Sequence, residues 1–363
     1  MPGTRKSSFD TRVRRALLNW FGRKARSLPW RKNHSAYAIW VSEIMLQQTQ
    51  VATVIPCYKR FLRVFPSVTA LARAPLERVL EIWSGLGYYR RARNLHQAAR
   101  EIVERFSGRF PHDFRQARSL PGVGDYTARA VLSIAYNLPL AVLDGNVARV
   151  LARLRAYHGN LGQPRFRQQV ERDLEGLLSR RRPGDFNQAL MELGQTICLL
   201  RGPRCSACPL CRHCAARRMG RPESFPEPRP RRANEFHHLA TAIVSCRSRV
   251  ALVKGLDDGL LADMWNFPAA FGPSPEAALE ALREKLRRIS GGEIQLSKSV
   301  DTLRHTITHR SILVHVYPGQ LSSGETKSCF RWLLLAGVER AAVSQLARKI
   351  ALRLERRPDR PPA

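Results

Sequence analysis

The segment "SLPGVGDYTARAVLSIAY" (119–136) places a turn with two glycines directly before an amphipathic helical pattern. Glycine has no β-carbon, so the backbone at Gly122 and Gly124 can approach a ligand closely. The following helix begins with free N–H groups and the positive end of its dipole, which attract an anion such as phosphate. Because a helical pattern also precedes the turn, residues 113–136 are predicted to form a helix-hairpin-helix unit that binds this anion at Gly122, Val123 and Gly124. A plain turn between two helices is the alternative.

The charge balance indicates which anion that would be. The chain carries 61 Lys and Arg residues against 29 Asp and Glu residues, a formal net charge of +32. Such an excess predicts a polyanionic partner, because neutralising phosphates releases their counterions. A solvated basic surface in an arginine-rich protein would give the same composition. Together with the hairpin, the charge favours the backbone of DNA.

Helical and strand patterns divide the chain into two domains. Apolar residues recur with the helical period between short Gly/Pro breaks over 9–216, which predicts an all-α domain. Four prolines and several arginines make 217–235 an extended basic linker. Strand-like segments such as "HHLATAIVSC" (237–246) and helical patterns such as "SPEAALEALREKLRRI" (274–289) predict an α+β domain over 236–355, followed by a disordered tail at 356–363.

The apolar segments are too short for a membrane protein. No run of 18 apolar residues occurs, so no membrane-spanning helix is predicted. The basic N-terminus continues into an amphipathic helical pattern rather than the apolar core of a secretion signal. We therefore expect a cytoplasmic protein whose cysteines stay reduced.

Four of the eight cysteines form a compact array, with the spacing Cys198-x6-Cys205-x2-Cys208-x5-Cys214. Clustered thiols in a reducing compartment indicate a metal site. One cysteine follows a helical segment and three lie in a tight loop, whereas zinc sites usually join two CxxC pairs over a longer gap. The loop 198–214 therefore favours a [4Fe–4S] cluster, with zinc as the alternative. Cys211 is interpreted as a non-ligand in this loop. The other thiols are interpreted as small buried apolar side chains: Cys57, Cys246 and Cys329.

The segment "VSEIMLQQTQV" (41–51) carries a carboxylate inside an apolar helical stripe. A helix edge that leaves Glu43 in water is the ordinary explanation. If Glu43 is buried instead, desolvation raises its pKa and keeps a proton available for catalysis.

Several segments closely resemble the adenine DNA glycosylases of the endonuclease III superfamily: "LPWR" (28–31), "VSEIMLQQTQV" (41–51), "GLGYYRRARNLHQAA" (85–99), "LDGNV" (143–147) and "FNQALMELG" (186–194). The resemblance covers nearly the whole chain. It implies an N-terminal all-α helix-hairpin-helix glycosylase fold, with a six-helix barrel module and an iron–sulfur helical module. It also implies a C-terminal α+β Nudix-like domain that senses 8-oxoguanine.

The resemblance implies a base excision repair enzyme. Its substrate would be adenine mispaired with 8-oxoguanine or guanine in double-stranded DNA, and the base would be flipped out before its N-glycosidic bond is hydrolysed. We expect a monomer, associated with the nucleoid in the cytoplasm of a bacterium.

Two carboxylates carry the chemistry that the resemblance implies. Glu43 matches the general acid that protonates adenine, and Asp144 matches the anion that stabilises the oxocarbenium-like sugar. Asn146 and Tyr126 match residues that position this chemistry. Bifunctional superfamily members have a lysine nucleophile where this chain has Tyr126. A phenol cannot form a Schiff base, so base removal without a lysine-driven strand cut is expected.

Further matches surround the flipped adenine and the gap that it leaves. Gln188 matches the amide that reads the adenine edge. Gln48 and Tyr88 match residues that wedge into the base stack. The implied adenine pocket consists of Arg26, Leu28, Trp30, Arg31, Val51 and Gln188. For Leu28 and Trp30, an ordinary position in the hydrophobic core is the alternative.

The second domain resembles a lesion reader rather than a hydrolase. The segment "RHTITH" (304–309) resembles the loop that contacts 8-oxoguanine, with Thr308 and His309 as the contacts and Ile307 in place of an aromatic residue. Arg287 and Arg288 stand near the positions where a Nudix hydrolase needs acidic metal ligands, so recognition without hydrolysis is expected.

Two other functions fit parts of the sequence. An endonuclease III-like pyrimidine glycosylase and lyase is disfavoured by Tyr126 and by the second domain. A non-catalytic iron–sulfur DNA-binding protein or redox sensor would be expected to lack Glu43 or Asp144, and both are present. Asp125 and Arg129 depart from the family pattern, and an acid beside a phosphate-binding turn is mildly unfavourable.

Overall fold

The computed structural model describes residues 3–32, 35–228, 235–255, 264–290, 293–307, 310–323, 329–339, 341 and 343–356. The chain divides into two compact units: Met1–Ile82 with Tyr88–Pro230, and Trp83–Gly87 with Arg231–Ala363. Across these described ranges, no helix is both long and apolar enough to cross a membrane.

No strand occurs among the described residues of the first unit, as the helical periodicity predicts. Its helices are α1 (Gly3–Lys24), α2 (Pro29–Lys32), α3 (Ala36–Leu46), α4 (Val51–Val64), α5 (Val68–Arg73), α6 (Leu76–Trp83), α7 (Arg90–Phe106), α8 (Phe114–Ser119), α9 (Asp125–Tyr136), α10 (Gly145–Arg155), α11 (Pro164–Leu177), α12 (Pro183–Thr196) and α13 (Ala215–Arg218). Single 3-10 turns lie at Cys205–Ala207, Cys211–His213 and Pro222–Ser224.

Helix α3 lies inside the first unit. It packs against α4, α7 and α9, while α5 packs against α7 and α8 against α9. Every residue from Ala38 to Met45 is buried. A helix that is surrounded on all sides needs apolar residues all round, which the sequence supplies except at Ser42 and Glu43.

A second group of helices shares its own apolar core. Side chains of α1, α10, α11 and α12 meet there, among them Leu17, Leu151, Leu174 and Phe186. Phe225 completes this core and is buried, and the Glu227 N–H donates to the Gly159 carbonyl at 2.9 Å. The compact unit therefore extends past the predicted domain boundary at 216. Of the predicted linker and tail, residues 229–234 and 357–363 lie outside the described residues.

The hairpin forms where the sequence predicts it. Asp113 caps α8 by accepting a hydrogen bond from the Gln116 N–H at 2.9 Å. Gly122 has φ +74°, and a β-carbon there would lie 2.7 Å from Cβ of Asn94. Both facts require glycine at this position. The turn ends at Gly124, which is the N-cap of α9.

The second unit is built on one mixed sheet. Its strands are β1 (Glu235–Cys246), β2 (Arg249–Lys254), β3 (Trp265–Asn266), β4 (Ala269–Gly272), β5 (Glu293–Leu296), β6 (Asp301–Ile307), β7 (Arg310–Ser323) and β8 (Arg331–Leu334). The strand order is β3-β2-β1-β7-β5, with β4 also paired to β1, β6 to β7 and β8 to β2. Strands β1 and β7 run parallel, from Glu235 opposite Arg310 to Ser245 opposite Gln320.

Helices cover both faces of this sheet. The helices are α14 (Pro275–Ser290), α15 (Leu335–Val338) and α16 (Gln345–Glu355). Leu282 and Leu286 of α14 pack on one face, and Ile350 and Leu354 of α16 pack on the other. The central part of β1 is buried on both sides, which explains its continuous apolar run. The predicted α+β domain is confirmed.

The interpretation of the isolated cysteines is partly wrong. Cys57 is buried as expected, but Cys246 and Cys329 are exposed. Cys246 is the last residue of β1 and Cys329 lies just before β8. Both positions lie at or near the end of a strand, so the apolar character of a thiol does not decide their burial.

Replacing Gly194 with alanine tests the close contact between α12 and α10. A β-carbon at Gly194 would lie 2.6 Å from Cβ of Asn146, so Gly194→Ala should lower the free energy of unfolding by about 1–3 kcal/mol. Gly176 is the matched control, because its β-carbon would meet nothing within 4 Å. Gly176→Ala should raise stability by up to about 1 kcal/mol through helix propensity. Denaturant unfolding of both variants measures the difference, and equal effects would contradict the close contact.

Candidate active site

A cavity of about 1050 Å³ opens in the first unit between α3, α9, α12 and the start of α10. Its walls bring together segments that are far apart in sequence. All of the residues predicted for catalysis and for the adenine pocket line it: Arg26, Leu28, Trp30, Arg31, Glu43, Val51, Tyr126, Asp144, Asn146 and Gln188. Gln48 also lines it.

Glu43 is buried, with 6% of its surface exposed, so the ordinary explanation of a wetted helix edge is wrong. Helix α3 is buried along this stretch, and Glu43 is the carboxyl group that it contributes to the cavity wall. The pKa of Glu43 is raised to about 7, mainly because the carboxyl group is buried; a hydrogen bond with Tyr126 lowers the pKa in part, and the negative charge of Asp144 raises it. A carboxyl group with this pKa holds a proton that it can deliver near neutral pH.

Tyr126 lies near both carboxyl groups. Its hydroxyl is 3.3 Å from the Met191 sulfur and also hydrogen-bonds Glu43. Burial, followed by the charges of Glu43 and Asp144, raises the pKa of Tyr126 well above its ordinary value, so the phenol stays protonated as a donor.

Asp144 has a different environment from Glu43, because it is the N-cap of α10. One carboxylate oxygen accepts from the Val147 N–H at 2.7 Å, and the other accepts from Asn146 Nδ2 at 2.9 Å. Asn146 Oδ1 in turn accepts from Arg149 Nη2 at 2.9 Å. Aspartate is favoured at this position since its side chain satisfies a free N–H group of the first turn. The capping geometry fixes the direction of the carboxylate.

Glu192 is a buried member of the site that the sequence analysis missed. Arg26 Nε and Nη2 donate to its two oxygens at 2.6 and 2.8 Å, and Arg31 Nη2 donates at 3.0 Å. Burial raises the pKa of Glu192, but the two guanidinium groups outweigh this and hold it below its ordinary value. Glu192 follows Gln188 by one helical turn, so the spacing of "QALME" was a signal that both lie on one face of α12.

The same network restricts Gln188. Arg31 Nε donates to Gln188 Oε1 at 3.2 Å, which directs the amide nitrogen of Gln188 away from Arg31. Leu28 and Trp30 are buried, and the Trp30 ring packs edge-on against Tyr58 with 5.4 Å between centroids. These two residues therefore belong both to the core and to the cavity wall.

Both units match known protein families. The model of the HhH-GPD superfamily of base excision DNA repair proteins matches residues 41–180, and that of the NUDIX domain matches 239–353. The human adenine DNA glycosylase is 34% identical over 94% of this chain and 73% of that protein. The enzyme of Buchnera aphidicola subsp. Acyrthosiphon pisum is 33% identical over 83% of this chain and 84% of that protein.

The chain belongs to the adenine DNA glycosylase family. It is therefore a DNA glycosylase, a hydrolase that acts on N-glycosyl bonds, and the base that it releases is adenine. A solved thermostable thymine-DNA glycosylase shares the fold of the first unit, with a TM-score of 0.52, 25% identity and coverage of 58% of this chain and 98% of that one. Family membership favours an adenine glycosylase over a pyrimidine glycosylase and over a non-catalytic DNA-binding protein.

The residues that the family resemblance assigns to DNA contact lie outside the cavity, apart from Gln48. Tyr88, Gly122, Val123 and Gly124 do not line it. Val123 is buried and its N–H donates to the Leu120 carbonyl at 3.0 Å. The exposed Gly122 and Gly124 are thus the parts of the turn that a phosphate can reach. Thr308 and His309, predicted to read the lesion, lie outside the described residues.

The departures from the family pattern beside the hairpin have partners in the structure. Asp125 forms an ion pair with Arg118 across the turn. The Arg129 guanidinium lies over the Phe114 ring, 5.2 Å from its centroid. The acid that the sequence places next to a phosphate-binding turn is therefore balanced by a cation on α8.

The predicted cluster cysteines surround one small cavity: Cys198, Cys205, Cys208 and Cys214. Cys211, predicted as a non-ligand, lines the same cavity. No three ligating side chains among the described residues meet at a point where a single metal ion would bind. A polynuclear cluster, which fills space between its cysteines, is compatible with thiols arranged around a cavity.

The surroundings of Arg153 also test whether these cysteines can hold an iron–sulfur cluster. It is 2% exposed and donates to the carbonyls of Leu199, Leu200 and Phe225, at 2.6, 2.9 and 2.9 Å. Its Nη1 also lies 3.4 Å from the Cys198 sulfur. In the part of the chain that the structure describes, it forms no ion pair with an acidic side chain. A buried cation needs a counter-charge, which anionic cysteine ligands would provide.

Glu192→Gln should destabilise the protein by about 3 kcal/mol, because two guanidinium groups would lose their buried counter-charge. The matched control is Glu171→Gln, which removes an exposed pair with Arg167 at 2.8 Å. That change should cost less than about 1 kcal/mol. Chemical unfolding of both variants measures the contrast, and a small effect of Glu192→Gln would show that the pair does not organise the pocket.

Proposed function

We propose that this glycosylase releases adenine mispaired with 8-oxoguanine or guanine in double-stranded DNA. The observation that carries the proposal is the pairing, in one cavity, of a buried carboxyl of pKa about 7 with a carboxylate fixed as a helix N-cap. Two carboxyl groups in such different environments suit two different roles in glycosidic bond cleavage. Glu43 is the general acid and Asp144 is the stabilising anion.

The adenine enters the cavity after flipping out of the duplex. Gln188 Oε1 already accepts from Arg31, so its amide nitrogen donates to an acceptor on the adenine edge. Leu28, Trp30 and Val51 supply apolar surface for the base. Glu192 keeps Arg26 and Arg31 in place beside it.

Bond cleavage then follows from the two environments. Glu43 delivers its proton to the adenine ring, which makes the base a neutral leaving group. The Asp144 carboxylate faces the positive charge that develops on the sugar. Asn146 and the Val147 N–H hold Asp144, and Tyr126 orients Glu43. Water then completes the hydrolysis.

We also propose that the reaction stops at base removal. A lyase of this superfamily needs a lysine amine that attacks the sugar. The described residues that line the cavity include no lysine, and the corresponding position is Tyr126. A phenol of raised pKa donates a hydrogen bond but forms no Schiff base.

The cofactor is proposed to be a [4Fe–4S] cluster on Cys198, Cys205, Cys208 and Cys214. When bound it supplies covalent links that fix the loop 198–214 to the end of α12. Arg153, Arg204 and Arg217 line the same cavity and offset negative charge there. The Nudix-like second unit is proposed to sense 8-oxoguanine through Thr308 and His309, and the protein to act as a monomer.

A base-release assay tests the proposed function. Duplexes that place adenine opposite each normal base and opposite 8-oxoguanine are incubated with excess enzyme, with and without hot alkali. Adenine should be released opposite 8-oxoguanine and guanine, and strand breaks should appear only after alkali. Release from normal adenine–thymine pairs at the same rate, or breaks without alkali, would contradict the proposal.

Glu43→Gln is the matched control in this assay, since the amide has nearly the same shape but cannot deliver a proton. Release should fall by roughly 10²–10⁴-fold while duplex binding is retained. In the wild type the acid must be protonated, so the single-turnover rate should fall as the pH rises through about 7. A rate that increases across this range would show that Glu43 is not the acid.

Cys208→Ser and Cys211→Ser separate ligand from bystander in the cysteine loop. We expect Cys208→Ser to lose iron and acid-labile sulfide, because it removes one of the four ligands. Cys211→Ser should retain both at the wild-type ratio to protein. Iron and sulfide analysis with visible absorption measures this, and stoichiometric zinc without iron would refute the cluster.

A further inference from the structure

Helix α3 ends about one turn beyond Glu43 without a glycine cap, so its last carbonyl groups need donors from elsewhere. Arg91 of α7 supplies them. Its Nη1 donates to the carbonyls of Ile44 and Met45, both at 3.0 Å, and to that of Gln47. A guanidinium at a helix C-terminus also interacts favourably with the helix dipole.

The second guanidinium nitrogen reaches past the helix. Arg91 Nη2 donates to Thr49 Oγ1 at 3.0 Å. Gln48, between Gln47 and Thr49, has φ +55°, a left-handed backbone that is unfavourable for a residue with a β-carbon. Arg91 therefore bonds the residues on both sides of Gln48 and holds this backbone in place.

The same guanidinium also contacts Tyr88. Its Cζ lies 5.2 Å from the centroid of the Tyr88 ring, and the Arg91 N–H donates to the Tyr88 carbonyl at 2.9 Å. Tyr88 has φ +46°, and 49% of its surface is exposed. A cation over an aromatic ring restricts the orientation of that ring. Burial lowers the pKa of Arg91 to about 10, which leaves the group charged at neutral pH.

Two residues in strained backbone conformations thus share one support. Gln48 follows α3 and Tyr88 precedes α7, forty residues apart in sequence, yet Arg91 bonds the chain around both. Strained conformations persist only where the surroundings hold them, and they occur preferentially at functional sites. Nothing in the chemistry of glycosidic cleavage requires either conformation.

We propose that Arg91 is a positioning residue that holds Gln48 and Tyr88 together as one preformed wedge for opening the base stack. The inference rests on the proposed function, which assigns these two residues to the stack and the gap. Arg91 acts on the flipping of adenine and not on the protonation step. Because it also caps α3, it fixes the wedge relative to the helix that carries Glu43.

Arg91→Met tests the proposal, because methionine keeps much of the side-chain length but has no donor. Arg100→Met is the matched control, since Arg100 is an exposed residue on the same helix and its loss changes the net charge equally. Duplexes carrying 2-aminopurine in place of the target adenine report unstacking as a fluorescence rise. Anisotropy measures binding, and the burst amplitude measures the fraction of active enzyme.

We expect Arg91→Met to lower the single-turnover rate and the fluorescence rise per bound complex by about tenfold or more, the effect of losing charged hydrogen bonds. The affinity of Arg91→Met for the duplex should stay within about threefold of the wild-type affinity. The rate and the fluorescence rise of Arg100→Met should also stay within about threefold of the wild-type values. Arg91→Lys keeps the charge but not the planar array of donors. Its rate and fluorescence rise should lie between those of Arg91→Met and Arg100→Met. A purely structural role would lower the burst amplitude and leave the fluorescence rise per bound complex unchanged.

A wild-type fluorescence rise in Arg91→Met would overturn the proposal. If Arg91→Met does not fold, a full rise in Arg91→Lys overturns it, and a reduced rise at wild-type burst amplitude supports it. The wild type is measured in the same series. Its failure to release adenine would refute the proposed function instead, whatever the variants do.

Discussion

The site depends on one carboxyl group that is kept out of water. Glu43 has a raised pKa because α3 is surrounded by α4, α7 and α9, and solvation of the charge is lost. Such burial is unfavourable for folding unless neighbouring groups compensate. Here α9 contributes the Tyr126 hydroxyl as a partner of Glu43, and α7 contributes the Arg91 guanidinium that caps the helix carrying it. Packing and chemistry therefore share the same contacts, and neither can change without the other.

The second carboxyl group, Asp144, is surrounded by hydrogen-bond donors. Asp144 is ordered by a helix N-terminus and by Asn146, so its position depends on how closely α10 and α12 approach. Gly194 permits that approach, because any side chain there would meet Asn146. Glu43 is set apart by its burial away from water, and Asp144 by the N–H donors that hold it. The proposed mechanism assigns different roles to these two similar groups because their environments differ.

Several of the arginines have structural partners within the protein. Arg26 and Arg31 are bound to Glu192, Arg155 is paired with Asp10 and Asp173, and Arg153 lies buried beside the cysteine cavity. These guanidinium groups connect elements that are distant in sequence, which their planar array of donors suits. The count of 61 Lys and Arg residues therefore overstates how many are available to a polyanion. Exposed arginines and the hairpin remain the surface that DNA can meet.

Local pattern was sufficient for the helices, the hairpin, the cysteine loop and the α+β second unit, since helix period, glycine turns and alternating strands depend on near neighbours in sequence. The family motifs also marked Glu43, Asp144 and most of the cavity wall. Tertiary structure alone decided that Glu43 is buried, that Glu192 anchors two arginines, that Phe225 belongs to the first core and that Arg91 supports Gln48 and Tyr88. Each of these depends on contacts between residues far apart in the chain. Desolvation and ion pairing are set by distance in space, so no local pattern contains them.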